Sequence, residues 1–359
     1  MEDHKSFEFI PKEKVKAYDG MAVTADVWEK TQQEHRDAMR AHLILSHHSG
    51  IITGLEVTAN EPSDHFVFIS PGVAIDSSGQ MIVVDQTVAY DFGSEGGQTL
   101  ILFLGYGERE TGGSDSSMRV TKSEYMIGAR SSWPKKPVVE IARIKLSAKN
   151  ISIKNAADSL VPLENEIDLR FRENANDRRK LVRAAVINVG DNKSDQSLSW
   201  HQMLNFLKYL PEYQLAVDIN AEWNDISTDF NFLHICISEA KEIPDEAFQT
   251  VKSLLKAGGG IFIEAVTPEG VSAAQKLGEK LGVANNPNVY SDYYEKPFLF
   301  RVPPTGIDPK KIFTNGQVFV SLDPVSDLWS GMKNGTAVDR GTIRTSLEWG
   351  SNIIYNCLG

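Results

Sequence analysis

Hydrophobic positions recur at two spacings along this chain of 359 residues, and the change of spacing divides it. From Thr24 to about Leu45, the residues Trp28, Thr31, His35, Met39 and His42 return every three or four positions, which puts them on one face of a helix. Thr24 suits the N-cap, Asp26 puts a carboxylate in the first turn, and Gly50 ends the element. The period then falls to two. Short β-type runs at 51–57, 65–70, 73–75, 81–84 and 99–106 are separated by Gly, Pro, Asn, Asp or Ser. Ser77-Ser78-Gly79-Gln80 reads as a tight hairpin with Gly79 at positive φ. Residues 107–118 are polar and Gly/Ser-rich and predict an exposed loop. Residues 138–146 return to β character, with 149–154 expected to pair beside them, and 167–172 closes this half.

Beyond a polar run at 173–180 the grammar changes again. Residues 181–189 form a nearly all-apolar strand of the parallel type. Helices are expected at 199–209, 244–257, 271–281 and 345–358, and strands at 215–220, 230–238, 260–266 and 318–322. The expected fold class is therefore an α+β N-terminal module, a helix plus an antiparallel β-rich core. It is followed by an α/β three-layer sandwich with a mainly parallel sheet. The expected domains are 1–172, a linker at 173–180, and 181–359.

Two groups of motifs resemble known families. Ser46-His47-His48-Ser49-Gly50-Ile51-Ile52-Thr53-Gly54-Leu55-Glu56-Val57 lies ahead of Pro71-Gly72-Val73-Ala74-Ile75-Asp76-Ser77-Ser78-Gly79-Gln80. Together, over about residues 20–172, they resemble a module of contractile tail machines: phage baseplates, tail-fibre attachment proteins and related bacterial injection systems. Residues 181–359 resemble an uncharacterised bacterial domain with the class I glutamine amidotransferase-like fold. Gly258, Gly259, Gly260, Pro287, Tyr290, Ser326, Asp327, Leu328, Gly350, Asn352 and Tyr355 carry that second likeness.

The first resemblance implies a structural part at or near a baseplate, an adaptor or attachment protein, and no enzyme. It implies baseplate proteins as partners, a homo-oligomer or several copies in the particle, and a membrane or envelope target reached through the particle. No substrate and no cofactor are implied. The alternatives are an amidotransferase-like hydrolase targeted to such a particle, and an envelope- or carbohydrate-binding module.

Charge and cysteine content narrow the field. The net charge is −11, and it is shared almost evenly, −5 over residues 1–180 and −6 over 181–359. Such a chain is not built to neutralise nucleic-acid phosphates. Cys236 and Cys357 lie in apolar runs and are expected to be buried and reduced, which favours a cytoplasmic origin and assembly into the particle from there. The first residues are acidic and mixed, without a signal-peptide core, and no window of ~18 apolar residues predicts a membrane span.

Candidate chemistry is sparse. Cys236 follows a strand start, as the nucleophile of an amidotransferase would. It lacks the flanking glycines that a strained elbow needs, and no histidine follows His234. His234 would share a strand face with Cys236, as a catalytic pair or as packing. His35 and His42 are seven apart, and His47 and His48 are adjacent, so neither pair makes a metal site, and no catalytic, cofactor-binding or metal-ligating residues are expected. The resemblance implies that a histidine of this turn tethers loop carbonyls. Gly258-Gly259-Gly260 follows a helix rather than a strand, so it reads as a C-cap and not a phosphate loop. Tyr290, Tyr293 and Tyr294 sit in an aromatic run that is either a binding surface or a loop folded back on the sheet. Asp168, Arg170 and Arg172 alternate. They form either a solvated strand face or an ion-pair strip holding the segment to its own sheet or a neighbour, and the resemblance favours the strip. The interaction candidates are therefore His47, His48, Gly50, Gly54, Asp168, Arg170, Arg172, Tyr290, Tyr293 and Tyr294.

Overall fold

The computed structural model describes residues 10–359, apart from 94–95, 112–119, 149–151, 178, 191–195, 209–211, 220, 227–229, 285–291 and 334. It is a mixed α and β protein with several antiparallel sheets and one six-stranded mixed sheet. The chain divides into two compact units. The first comprises Met1–Ala157 and Pro162–Arg178, and the second Asp158–Val161 and Arg179–Gly359.

The first unit opens with α1 (Ala25–Ser46). Thr24 caps it, its hydroxyl accepting the Val27 N–H at 3.4 Å. The stripe through Trp28 and Met39 faces outward, these side chains being 58% and 49% exposed. The buried helix residue is Ala41. The strands follow as β1 (Gly50–Gly54), β2 (Val57–Ala59), β3 (Phe66–Ile69), β4 (Gly72–Ile75), β5 (Met81–Val84), β6 (Val88–Asp91), β7 (Thr99–Thr111), β8 (Val120–Arg130) and β9 (Val139–Lys145). They form three antiparallel sheets, ordered β1-β4-β5, β2-β3-β6 and β8-β7-β9. One core unites them, with Leu55, Val67, Ile69, Leu102, Leu104 and Ile141 fully buried.

Several expectations are corrected here. Residues 107–111 belong to β7 rather than to a loop, because the β7–β8 hairpin pairs in register out to Thr111 and Val120; residues 112–119 lie outside the described residues. Lys154 does not pair beside 138–146. It begins β10 (Lys154–Asn155), which runs parallel to β11 (Glu166–Ile167). The segment 167–172 is extended only to Asp168, which bridges Arg143, and then turns, with the Arg172 N–H on the Leu169 carbonyl. Much of the supposed linker at 173–180 is packed chain. Ile51 donates to the Glu173 carbonyl at 2.8 Å, Ala175 donates back to Ile51 at 2.9 Å, and Ala175 is 1% exposed. The polar composition misleads because it is the backbone of this stretch, not its side chains, that completes the edge of β1.

The second unit is built on β12 (Lys180–Val189), β13 (Tyr213–Asp218), β14 (Phe232–Ile237), β15 (Gly260–Ala265), β16 (Ile312–Thr314) and β17 (Val318–Ser321). Their order is β13-β12-β14-β15-β17-β16, all parallel except β16. A two-residue hairpin, β18 (Met332–Lys333) and β19 (Thr336–Ala337), lies outside it. The helices are α2 (Ser197–Leu207), α3 (Asp245–Lys256), α4 (Val271–Lys280), the short α5 (Asp292–Glu295) and α6 (Val325–Trp329), and α7 (Arg340–Leu358). Strand alternation sends Val182, Ala184 and Val186 into one core with Trp200, Met203, Trp349 and Ile353 of α2 and α7. Ala185, Ile187 and Val189 enter a second core with Val251, Leu254, Ala274 and Leu277 of α3 and α4. Gly258 takes φ +86° at the end of α3, as a helix C-cap requires.

Candidate functional site

Two places hold the residues with the most to say. The first is an enclosed polar network in the second unit. His234 and Cys236 lie two apart on β14, and Glu264 lies on β15, with His234 opposite Phe262 and Cys236 opposite Glu264 in register. Their side chains therefore enter the same core as Trp200 and Trp349. His234, Cys236, Glu264 and Trp200 are essentially without solvent exposure, which favours pairing of their polar atoms. His234 Nε2 meets Glu264 Oε2 at 3.0 Å, and Trp200 Nε1 donates to His234 Nδ1 at 3.1 Å. Ser326 donates its N–H to Glu264 Oε1 at 2.7 Å and its hydroxyl to Oε2 at 2.6 Å. The imidazole also stacks on Phe262, centroids 4.5 Å apart and planes 7° from parallel.

The tautomer follows from the donors. An indole N–H can only donate, so Nδ1 carries no proton, and Nε2 carries one and donates to Glu264. Glu264 thus receives three donors, the pattern of a carboxylate. His234, Cys236 and Glu264 are also the described residues that come close enough together to suggest a metal triad. The indole argues against it. A neutral histidine ligating through Nε2 holds its proton on Nδ1, and here that proton would face the Trp200 N–H.

Cys236 Sγ lies 3.4 Å from His234 Nε2, but its electrostatics oppose a thiolate. Burial pushes the thiol well above its usual range, and the carboxylates of Glu264 and Asp327 push it further. Asp327 itself is pushed up to about 6, first by burial and then by the Glu264 charge. What the arrangement does well is tie β14, β15, α2 and α6 together.

The second place is the motif-bearing turn of the first unit. Gly54 has φ +65°, and a Cβ there would drive into the Pro71 carbonyl oxygen. Gly54 pairs with Gly72 across β1 and β4. Leu55 follows at φ +58°, unusual for a branched side chain, and is fully buried. That conformation costs about 1–2 kcal/mol, which burial of the leucine offsets with about 1.5–3 kcal/mol. Gly50, at φ +152°, is closed over by the backbone of Glu173 and Ala175. Gly79 takes φ +76° against Arg40 and Ile44 of α1, and Asp76 Oδ1 holds its turn by accepting from Ser78 and Gln80 N–H groups.

The remaining candidates fall as follows. The His47 N–H caps α1 on Leu43 O, and the His48 N–H reaches Ala175 O at 3.1 Å. These are backbone bonds; among the described residues no hydrogen bond of either imidazole is seen. Arg170 grips Asp168 through Nε at 2.9 Å and Nη2 at 2.8 Å. Arg172 reaches Glu56 Oε2 at 2.9 Å and the Gly54 carbonyl at 3.3 Å. Arg143, paired with Glu140, lies over the Phe171 ring. The charged strip is thus bound to its own unit. Tyr290 lies outside the described residues. Tyr293 is buried, donating to Gly316 O at 3.0 Å, and Tyr294 packs against Trp349, so these two rings belong to the core and do not form an exposed aromatic platform. Glu264 and Trp200 were missed as candidates; the visible signal was a lone Glu and a lone His inside the otherwise apolar runs of β15 and β14.

No family model matches the chain, and no curated protein matches it. Among solved structures it is similar to TssK, with TM-score 0.27 and 10% identity over 37% of this chain and 38% of that one. It is also similar to a chain of the type VI secretion system TssK-TssF-TssG baseplate subcomplex, with TM-score 0.27 and 9% identity over 37% and 56%. A chain of the baseplate complex from the type VI secretion system gives TM-score 0.28 and 10% identity over 38% and 39%. The match spans less than two thirds of each of those chains.

Proposed function

We propose that this chain is a structural component of a contractile injection system or phage-tail-like particle. It would sit at or near the baseplate and act as an adaptor or attachment protein. One observation carries the reading. The two motif halves that resemble the tail module, 50–57 and 71–80, are far apart in sequence but pair directly as β1 and β4, Gly54 against Gly72. Their glycines serve close backbone approach. The motif therefore describes a rigid structural element, as a docking module needs. In this reading the first unit docks on baseplate proteins or on further copies of itself, and assembly begins in the cytoplasm. The second unit serves as an amidotransferase-like α/β domain of three-layer type without catalysis, and the buried, protonated Cys236 supports that. Among the described residues no helix is long and apolar enough to cross a membrane.

The test is protein content, by mass spectrometry, of particles purified from the source organism. Particles made with the Gly54→Val chain, or with residues 1–60 deleted, should lack this protein while the second unit stays folded. Normal occupancy after the deletion would reverse the roles assigned to the two units.

A further inference from the structure

A cavity of about 640 Å³ opens in the second unit, well apart in chemistry from the enclosed network. Its walls come from the end of β12 at Ile187, the turn 221–226 after β13, and the start of α3 from Pro244 to Thr250 after β14. Ile187 lies near the carboxyl end of β12, and the other two segments follow the carboxyl ends of β13 and β14. In the order β13-β12-β14 the chain crosses over β12, so the sheet reverses its winding there. This is the position at which open α/β sheets hold ligands, and the volume suits a small molecule.

The lining narrows the ligand. Ile187, Ile226 and Ala247 are buried and apolar, and the half-buried Trp223 presents its indole. The turn that carries Trp223 is held by the Glu222 N–H on Asp225 Oδ2 at 3.0 Å. Glu222, Asn224, Glu246 and Thr250 supply carboxylates, an amide and a hydroxyl, and among the described residues no Lys or Arg lines the cavity. Two carboxylates disfavour an anion. The N-terminus of the twelve-residue α3 also opens here, and its first-turn N–H groups add donors and its dipole end offsets part of the carboxylate charge. A neutral polyhydroxylated ring meets every wall at once. Its C–H face covers the indole, its hydroxyl protons go to the carboxylates, and its oxygens accept from the amide and the helix N–H groups.

We infer that this cavity is a saccharide-binding site for a neutral pyranose-sized sugar stacked on Trp223. The site is independent of the proposed place in a particle. The experiment is saturation-transfer NMR on the full chain with glucose, galactose, mannose, rhamnose and N-acetylglucosamine, and with spermidine as a cationic probe. The expected result is transfer to the ring protons of at least one sugar, with none to spermidine. Glu246→Gln and Trp223→Ala should each weaken that binding by about tenfold, the loss of roughly one interaction. Circular dichroism confirms that the variants fold. Glu246 is exposed, so its variant keeps the test open if Trp223→Ala unfolds. Absence of transfer to every sugar overturns the proposal. So does sugar binding unchanged in the folded variants, or spermidine binding that Glu246→Gln abolishes.

Discussion

The indole N–H of Trp200 donates to Nδ1 of His234 at 3.1 Å, and this one bond sets the tautomer of that buried histidine. It leaves the histidine one donor, and that donor is spent on Glu264. Trp200→Phe preserves most of the ring's packing and leaves Nδ1 buried without its partner. The expected loss is about 1–3 kcal/mol in denaturant unfolding, the penalty for stranding a buried acceptor. Unchanged stability would mean that the bond does not organise the core.

The same interior decides the fate of the thiols. Cys236 is driven up by burial and neighbouring carboxylates, and Cys357 is pushed up to about 12 by burial. Neither should react with iodoacetamide at pH 8 in the folded protein, and both should react once it is unfolded. Mass spectrometry of the labelled chain checks this. Rapid native labelling of Cys236, or glutaminase turnover abolished by Cys236→Ser, would reopen the hydrolase alternative.

Asp327 introduces a pH dependence with a definite sign. Its carboxyl titrates near 3.8 when unfolded and at about 6 when folded. The folded state therefore holds the proton more tightly, and the resulting stabilisation is complete below the unfolded value and lost as pH rises through about 6. Asp327→Asn cannot ionise. Its stability relative to wild type should rise between about pH 4 and 6 and level off above that range. Urea unfolding midpoints across pH 4 to 8 measure the difference, and a flat difference contradicts the assignment.

Two glycines of the first unit separate conformational strain from collision. Gly54 and Gly93 share φ +65°, but among the described residues a Cβ at Gly93 would meet nothing within 4 Å, while one at Gly54 meets the Pro71 carbonyl. Gly93→Ala should cost about 1–2 kcal/mol, the left-handed penalty alone. Gly54→Ala should cost about 3 kcal/mol or more, because backbone must also move. Equal losses in thermal or urea unfolding would show that the β1–β4 crossing is loose.

Much of the fold is written locally. Thr24 and the three-four spacing marked α1, Ser77-Ser78-Gly79-Gln80 between the runs 73–75 and 81–84 marked a hairpin, and the nearly all-apolar run of β12 marked a buried parallel strand. These are short-range consequences of capping, side-chain period and burial, so they survive in one dimension. Pairings between distant segments do not. Nothing in the composition of 173–177 shows that its backbone completes β1, because carbonyls and N–H groups are the same in every residue. The aromatic run around Tyr293 reads equally as a surface or as a loop folded back on the sheet, and two of its rings fill a space that only α7 and the sheet define. Glu264, Ser326 and Trp200 stand far apart in sequence and meet through strand register and helix placement. The sequence alone determined where the elements and their rigid turns would form, because those depend on neighbours a few residues away. Only the tertiary structure decided which polar groups share a proton and which side chains wall a cavity, because a buried donor is satisfied by whatever acceptor the packing brings within about 3 Å.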